Sequence, residues 1–189
     1  CSASSTTVDK YVVYNYLERT WYYGTMSRSA WLDSAVRAQP MATPYAGSNG
    51  QLVYHETGND DGISDPPAPI TAYVQSSDFD IGDGHNFGFV WRLIPDVTFD
   101  GSDVNKPQVN FTVRPRQFPG TNYGTSDNPV VKSTQNYSSV RSYNVQQFTE
   151  QVYVRLRGRQ MAFRVESDQL GVSWQLGTPR VDVRPDGRR

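Results

Sequence analysis

Residues 150–167, EQVYVRLRGRQMAFRVES, constrain the fold more than any other part of the chain. Apolar and polar side chains alternate on both sides of Gly158 and Arg159, and this period of two is typical of strands with one buried face. Glycine in the first position of a two-residue loop favours a type II′ turn. We therefore predict a β-hairpin that folds about these two residues. The predicted cross-strand pairs are Leu156 with Met161, Val154 with Phe163, and Val152 with Val165.

The opposite face of the predicted hairpin is polar and basic, with Tyr153 between the charges. Guanidinium groups and aromatic rings together can bind a polyanion through charge and stacking. The other interpretation is an exposed face that arginine keeps soluble, or one that pairs with an acidic neighbouring subunit. The candidate residues for a subunit contact or a polyanion-facing surface are Arg155, Arg157, Arg159 and Arg164.

The composition favours an all-β protein built from antiparallel hairpins. Of the 189 residues, 37% are hydrophobic and 13% are aromatic, which argues against disorder. Glycine, proline and serine fill the connections between aromatic segments, as in sheet proteins with many turns. No segment has the pattern of a long amphipathic helix, and no apolar run reaches the length of a membrane span.

Charge is distributed unevenly along the chain, although the net charge is only -1. Residues 1–106 contain 6 basic and 13 acidic residues, which gives -7, whereas residues 107–189 contain 12 basic and 6 acidic residues, which gives +6. A chain with this polarity can stack head-to-tail on itself or turn one end toward a polyanion. Solvated surface charge is the simpler explanation for each residue taken singly.

The N-terminal part also has a hairpin pattern, in residues 8–17 and 21–24. A turn about Glu18 and Arg19 predicts an aromatic ladder that pairs Tyr16 with Trp21 and Tyr14 with Tyr23. That connection lacks Gly and Asn, so the sequence leaves its register open. Further strands are predicted within residues 51–56, 71–76, 86–99, 109–114, 172–176 and 180–184. Pro95, inside the third of these, indicates an edge position, a bulge or an interruption.

The acidic turns at residues 59–65 and 78–83 cluster the oxygen ligands that calcium favours. Neither turn fits the twelve-residue calcium loop that ends in Glu, and Asp also serves in turns to cap backbone amides. Glycoside hydrolysis would need two carboxylates across a sugar site. The candidates by residue type alone are Glu56, Asp60, Asp61, Asp78, Asp80 and Asp83.

Other enzyme patterns are missing from the sequence. His55 and His85 lie far apart with no metal-type spacing around them, and the single Cys1 excludes an intrachain disulfide. The chain has no nucleophile elbow, phosphate loop or dinucleotide fingerprint. We therefore assign no catalytic residue, no metal ligand and no cofactor, and we expect that the protein is not an enzyme.

An ordered series of segments resembles the C-terminal portion of phage tail proteins of the nozzle type, also called tail tubular protein B or packaged-DNA stabilisation protein. The resemblance covers nearly the whole chain except residues 115–139, and it rests on the order of the segments rather than on any single motif. The segments are VYNYLERTWYYGT (13–25), RSAWLD (28–33), LVYHETGNDDG (52–62), DIGDG (80–84), RLIPD (92–96), VRLRGRQM (154–161) and LGTPRVDVRPDGR (176–188).

The resemblance implies part of a β-propeller with long inserted loops, in a subunit of a ring, usually a hexamer, in the tail of a short-tailed virion. The ring would enclose the DNA ejection channel and help to retain and then release packaged DNA. Its partners would be further copies, the tail adaptor, other tail proteins and the passing double-stranded DNA, with no integral membrane segment. Residues 1–114 would form the last blades, 115–139 an irregular inserted loop, and 140–189 the hairpins that complete the domain.

Family members are longer than 189 residues, and this chain begins with Cys rather than Met and without a signal peptide. We expect the upstream part to be absent; the alternative interpretation of Cys1 is a lipoprotein cysteine. Two other functions stay open at this point. One is a virion-associated propeller module that binds receptor glycan through Tyr and Trp, and the other is a depolymerising glycosidase.

Overall fold

The computed structural model describes residues 2–6, 8–33, 39–44, 52–62, 64–81, 84–120 and 140–187. Within these ranges the protein is all-β, with antiparallel pairing throughout and no helix. The strands are β1 (Lys10–Asn15), β2 (Thr20–Thr25), β3 (Arg28–Leu32), β4 (Met41–Pro44), β5 (Val53–Tyr54), β6 (Ala72–Gln75), β7 (Phe79–Asp80), β8 (Gly88–Ile94), β9 (Val97–Thr98), β10 (Gln108–Arg116), β11 (Arg141–Gln146), β12 (Val152–Gly158), β13 (Gln160–Ser167), β14 (Gln175–Leu176) and β15 (Arg180–Pro185).

The chain divides into two compact units, Cys1–Thr57 and Gly58–Arg189. The first unit contains the β1–β2 ribbon and a three-stranded sheet in the order β3-β4-β5. The expected division at residues 114 and 139 stays a prediction, and residues 121–139 of the expected irregular loop lie outside the described ranges.

In the second unit, a five-stranded sheet and a three-stranded sheet share one hydrophobic core. The larger sheet has the order β11-β10-β13-β6, with β7 also paired to β13, and the smaller has the order β12-β8-β15. Apolar and polar side chains alternate along the strands of both sheets, so that the apolar side chains meet between the sheets and the polar ones face outward. The core comprises Ile81, Val90, Leu93, Phe99, Val109, Phe111, Val113, Val145, Val154, Leu156, Met161 and Val165.

The predicted hairpin about Gly158 and Arg159 is wrong. Strand β12 pairs with β8, and β13 pairs with β10, so the chain crosses from one sheet to the other at this point. Gly158 lacks the positive φ of a type II′ turn, and a Cβ there would lie only 3.0 Å from the carbonyl oxygens of Arg116 and Gln160. The glycine is thus needed for a close backbone approach at the crossover. The sequence did not distinguish the two arrangements, because two strands that face each other across a core show the same alternation of apolar and polar residues as the two strands of a hairpin.

The N-terminal hairpin is confirmed, but its predicted register is wrong by two residues. Tyr14 pairs with Trp21, and residues 16–19 form the connection. The Asn15 side-chain oxygen accepts hydrogen bonds from the amides of Leu17 (3.1 Å) and Glu18 (3.2 Å), which closes this longer turn. Its last residue, Arg19, adopts a φ of 56°.

The other predicted strands are confirmed, since each of the six ranges contains or overlaps a strand of the structure. The interruption at Pro95 separates β8 from the short β9, as expected for a residue that lacks an amide donor. The described strands form the two packed sheets of the second unit, the three-stranded sheet of the first unit and the two-stranded ribbons β1–β2 and β9–β14, without a closed barrel or a propeller. The propeller therefore stays a prediction of the resemblance.

Candidate functional site

The structure separates the four candidate arginines onto two surfaces. Arg155 and Arg157 lie on β12, where they alternate with buried residues and point outward from the three-stranded sheet. Arg159 lies at the crossover, and Arg164 on β13 points outward from the five-stranded sheet. Because the sheets enclose one core, Arg164 is on the surface opposite Arg155 and Arg157. The predicted single basic face is therefore wrong, whereas the contact role of each arginine stays a prediction.

Two of these arginines stack on one phenylalanine ring. The guanidinium carbon of Arg157 lies 4.1 Å from the centroid of Phe87, and that of Arg159 lies 4.7 Å from it. Arg159 also lies 4.8 Å from the centroid of Phe118. Asp186 forms an ion pair with Arg157. The buried Phe87 ring thus supports two cations through their attraction to its face.

A similar cluster surrounds Trp91 on the same sheet. The guanidinium carbons of Arg92 and Arg184 each lie 4.9 Å from its ring centroid, and Tyr153 packs against it at 6.0 Å. Asp182 accepts a hydrogen bond of 2.5 Å from Nε of Arg92. We call the two clusters together the arginine–aromatic layer; its members are Phe87, Trp91, Arg92, Arg157, Arg159 and Arg184.

Arg164 belongs to a separate polar network on the five-stranded sheet. Its Nε donates a 2.7 Å hydrogen bond to Glu166, and its guanidinium carbon lies 3.9 Å from the Tyr73 ring centroid. Arg114 on β10 reaches across β13 and donates a 3.1 Å hydrogen bond to the side-chain oxygen of Gln75 on β6. Sequence alone could not indicate these partners, because Tyr73 and Gln75 come from a strand about ninety residues earlier that pairs directly with β13.

The β1–β2 ribbon exposes an aromatic surface in the first unit. Val12, Tyr14, Trp21 and Tyr23 lie on one face of the ribbon, and their exposed fractions are 68%, 45%, 69% and 72%. The rings of Tyr14 and Trp21 are 4.5 Å apart, centroid to centroid. We call these four residues the aromatic hairpin surface. The sequence indicated the aromatic ladder but not that it would be exposed.

His55 is held in the first unit as a neutral acceptor. Nε of Arg28 donates a 2.9 Å hydrogen bond to Nε2 of His55, and the Trp31 ring packs at 4.6 Å. Burial lowers the pKa of His55 below its ordinary value of 6.5, and the Arg28 charge lowers it further, against a smaller opposite effect of Glu56. The sequence did not reveal Arg28 as the partner of His55.

The carboxylates of the first acidic turn bond to nearby backbone and side-chain donors. Asp60 accepts from the Gly62 amide at 2.8 Å, and Asp61 accepts from the amides of Ser64 (3.3 Å) and Ala68 (3.2 Å). In the second turn, Asp78 pairs with Arg116 at 2.9 Å and Asp80 accepts from Gln160 at 2.8 Å. The bonds of Asp60 and Asp61 are the turn-capping role of Asp, whereas Asp78 and Asp80 bond to side chains of β10 and β13. Asp83 lies outside the described residues. No group of three or more His, Cys, Asp or Glu side chains gathers at a metal-type site in the described ranges.

No helix among the described residues is long and apolar enough to cross a membrane. No protein-family model matches this chain, and no curated protein matches it either. The candidate functional surfaces among the described residues are the arginine–aromatic layer and the aromatic hairpin surface.

Proposed function

We propose that this chain is a structural subunit of a short-tailed phage tail, part of a nozzle ring that encloses the DNA ejection channel and helps to retain and then release packaged DNA. The ordered segments from residue 13 to residue 188 support this proposal through their resemblance to tail nozzle proteins. The all-β architecture of the described residues is consistent with the hairpin-rich fold that the resemblance implies.

The aromatic hairpin surface is the observation that carries the assembly role. A two-stranded ribbon is marginally stable by itself in water, and clustered exposed apolar side chains mark contact sites. Trp21 and Tyr23 are exposed by 69% and 72%, and Tyr22 on the other face is exposed by 52%. Covering these rings with a neighbouring protein would stabilise the contact by about 25 cal/mol for each Å² of apolar area that is removed from water. Such a ribbon fits a protein that functions among packed neighbours.

The arginine–aromatic layer suits a subunit contact better than a strong DNA grip. Arg92 and Arg157 are paired with Asp182 and Asp186, so much of their charge is balanced within the chain. A channel that passes DNA should make few tight phosphate contacts, because each contact that holds the duplex also retards its ejection. We therefore place the layer at the contact between subunits rather than on the channel wall.

The test of this proposal is neutralisation by glutamine, in the phage, of Arg157, a member of the layer, together with Arg155, which lies two residues before it on β12. We expect loss of ring assembly, measured as the absence of this protein from purified tails. Any change in DNA retention should occur only as a consequence of the missing ring. The control is Arg19→Gln, which removes an exposed positive charge from the connection between β1 and β2, outside the layer, and should leave assembly unchanged. Intact rings that retain DNA abnormally would contradict the assignment of the layer to subunit contacts.

A second candidate function, glycan binding, is favoured by the same exposed rings. Tyr and Trp combine an apolar ring with a polar group at its edge, and a flat platform of such rings can stack on the C–H faces of sugars. Titration of the chain with host polysaccharide distinguishes the candidates. Saturable binding that is lost in Trp21→Ala, but kept in the control Val8→Ala at another exposed residue, would favour the glycan module over the nozzle.

A further inference from the structure

The charges of the second unit divide along the strand axis. Strand β13 runs from the crossover at Gln160 to Ser167, so one end of both sheets contains the crossover and the other contains the start of β10 and β6. Over eight residues, the two ends lie about 25 Å apart at roughly 3.3 Å per residue. We call them the crossover end and the far end.

The half of the unit at the crossover end is basic, with seven arginines against three aspartates among the described residues. Arg116 and Arg157 are paired there with Asp78 and Asp186, and seven arginines against three aspartates give this half a formal charge of +4. The seven arginines are Arg114, Arg116, Arg141, Arg155, Arg157, Arg159 and Arg184, and the aspartates are Asp78, Asp80 and Asp186.

The half at the far end is acidic, with ten carboxylates against four cations among the described residues. Two hydrogen bonds of Asn59, to the Gly101 carbonyl (2.7 Å) and the Asp103 carboxylate (2.9 Å), fasten the acidic 58–69 connection at this end. The carboxylates are Asp60, Asp61, Asp65, Asp96, Asp100, Asp103, Glu150, Glu166, Asp168 and Asp182, and the cations are Arg92, Lys106, Arg164 and Arg180.

We infer that the second unit associates head-to-tail with a second copy of this chain, the far end of one copy against the crossover end of the next. This inference rests on the proposed ring, and it assigns the surfaces that form the ring contact. Complementary ends steer association and fix its direction. A heterologous contact of this kind generates rings when the rotation closes.

A second copy fits the crossover end better than duplex DNA does. The two ends belong to one unit and are opposite in sign, so each copy carries the electrostatic complement of its own surface. Aspartates interleave with the arginines of the crossover end, and aspartates would repel phosphates. Exposed carboxylates at the far end, including Asp65, Asp100, Glu150 and Asp168, can reach a facing surface.

The experiment is a charge exchange on the whole 189-residue chain, followed by sedimentation velocity. One variant, Arg155→Glu with Arg184→Glu, reverses exposed charges of the crossover end, and the other, Asp100→Lys with Glu150→Lys, reverses exposed charges of the far end. Measurements at ionic strengths of about 0.01 M and 0.15 M compare Debye lengths of about 30 Å and 8 Å. Thermal unfolding of each variant verifies its fold.

We expect the unchanged chain to self-associate at the lower ionic strength and to dissociate as salt is added. Each variant alone should associate at least about tenfold more weakly, because the substitutions take the crossover end from +4 to 0 or the far end from -6 to -2 and so weaken the attraction between the ends. An equimolar mixture should recover association, since each variant still offers one unchanged end to the other. This recovery also shows that both variants are folded.

Three results would overturn the inference: no self-association of the unchanged chain, association of each variant equal to that of the unchanged chain, or no recovery in the mixture. The nozzle proposal survives these results, because a ring can close through the aromatic hairpin surface instead. Conversely, recovery in the mixture together with native particles that lack a ring of this chain supports the contact and rejects the nozzle.

Discussion

The Tyr143 hydroxyl donates a 2.6 Å hydrogen bond to the carbonyl oxygen of Val154 and so connects the two sheets of the second unit. Tyr143 lies on β11 of the larger sheet, and Val154 lies on β12 of the smaller one. The β12–β8 register shifts between Tyr153 and Leu156, and the tyrosine reaches the backbone at this irregularity. Burial raises the pKa of Tyr143, consistent with a neutral donor.

Replacement of Tyr143 by phenylalanine should lower the free energy of unfolding by about 1–2 kcal/mol, because it leaves a partly buried carbonyl without this donor. The matched control is Tyr153→Phe, whose ring is 56% exposed and whose loss of a hydroxyl should cost much less. Urea unfolding of both variants measures the difference. Equal stability of the two variants would show that the bond between the sheets contributes nothing.

The core of the second unit allows a comparison of two phenylalanines. Phe111 is 1% exposed, and Phe148 is 89% exposed. Phe111→Ala should destabilise the unit by about 3–5 kcal/mol, through lost burial and the cavity that remains. Phe148→Ala should change the unfolding midpoint little. Comparable losses for the two substitutions would contradict the described core.

Gly158 should not tolerate a side chain, because a Cβ would lie 3.0 Å from two carbonyl oxygens at the crossover. We expect Gly158→Ala to cost about 1–3 kcal/mol, since the backbone must shift to relieve the contact. Gln147→Ala, at an exposed turn residue, is the control for the substitution itself. If Gly158 were instead in a hairpin turn, the loss of stability in Gly158→Ala would come from backbone strain at positive φ. The crystal structure of the variant distinguishes the crossover from the hairpin turn.

The stability of the first unit should depend on pH through His55. Its pKa is below 6.5 in the folded state, so the unfolded chain binds the proton more tightly. The corresponding stability is therefore present above pH 6.5 and is lost as the pH falls through the folded pKa. We expect the unfolding midpoint of this unit to fall between pH 7.5 and pH 5, and this loss to be smaller in His55→Gln. His85→Gln is the control, because His85 lies in the second unit and its replacement should leave the unfolding of the first unit unchanged.

The sequence predicted the strands well and their partners poorly. Alternation identified which residues of β12 and β13 are buried, including Val154, Leu156, Met161 and Val165, because burial is a local property of each strand. Pairing depends on long-range geometry, so a crossover between sheets and a hairpin looked alike at Gly158. The N-terminal register was missed because the Asn15 side chain closes a longer turn than the alternation suggested.

The surface chemistry was predicted only in part. The arginines of residues 155–164 are identifiable from sequence, but the aromatic rings that support them, Phe87 and Tyr73, come from segments far away in the chain. The asymmetry of charge along the sequence did carry over into space. The acidic 58–69 connection joins other carboxylates at the far end because Asn59 bonds to the turn around Gly101 and Asp103.

Cryo-electron microscopy of the native particle that contains this chain tests the central claim most directly. The account predicts a symmetric ring around an axial channel, with the aromatic hairpin surface covered by protein and the arginine–aromatic layer at the contact between neighbouring copies. A separate module at a fibre tip, with Trp21 and Tyr23 exposed to solvent, would contradict the nozzle and direct attention to glycan binding.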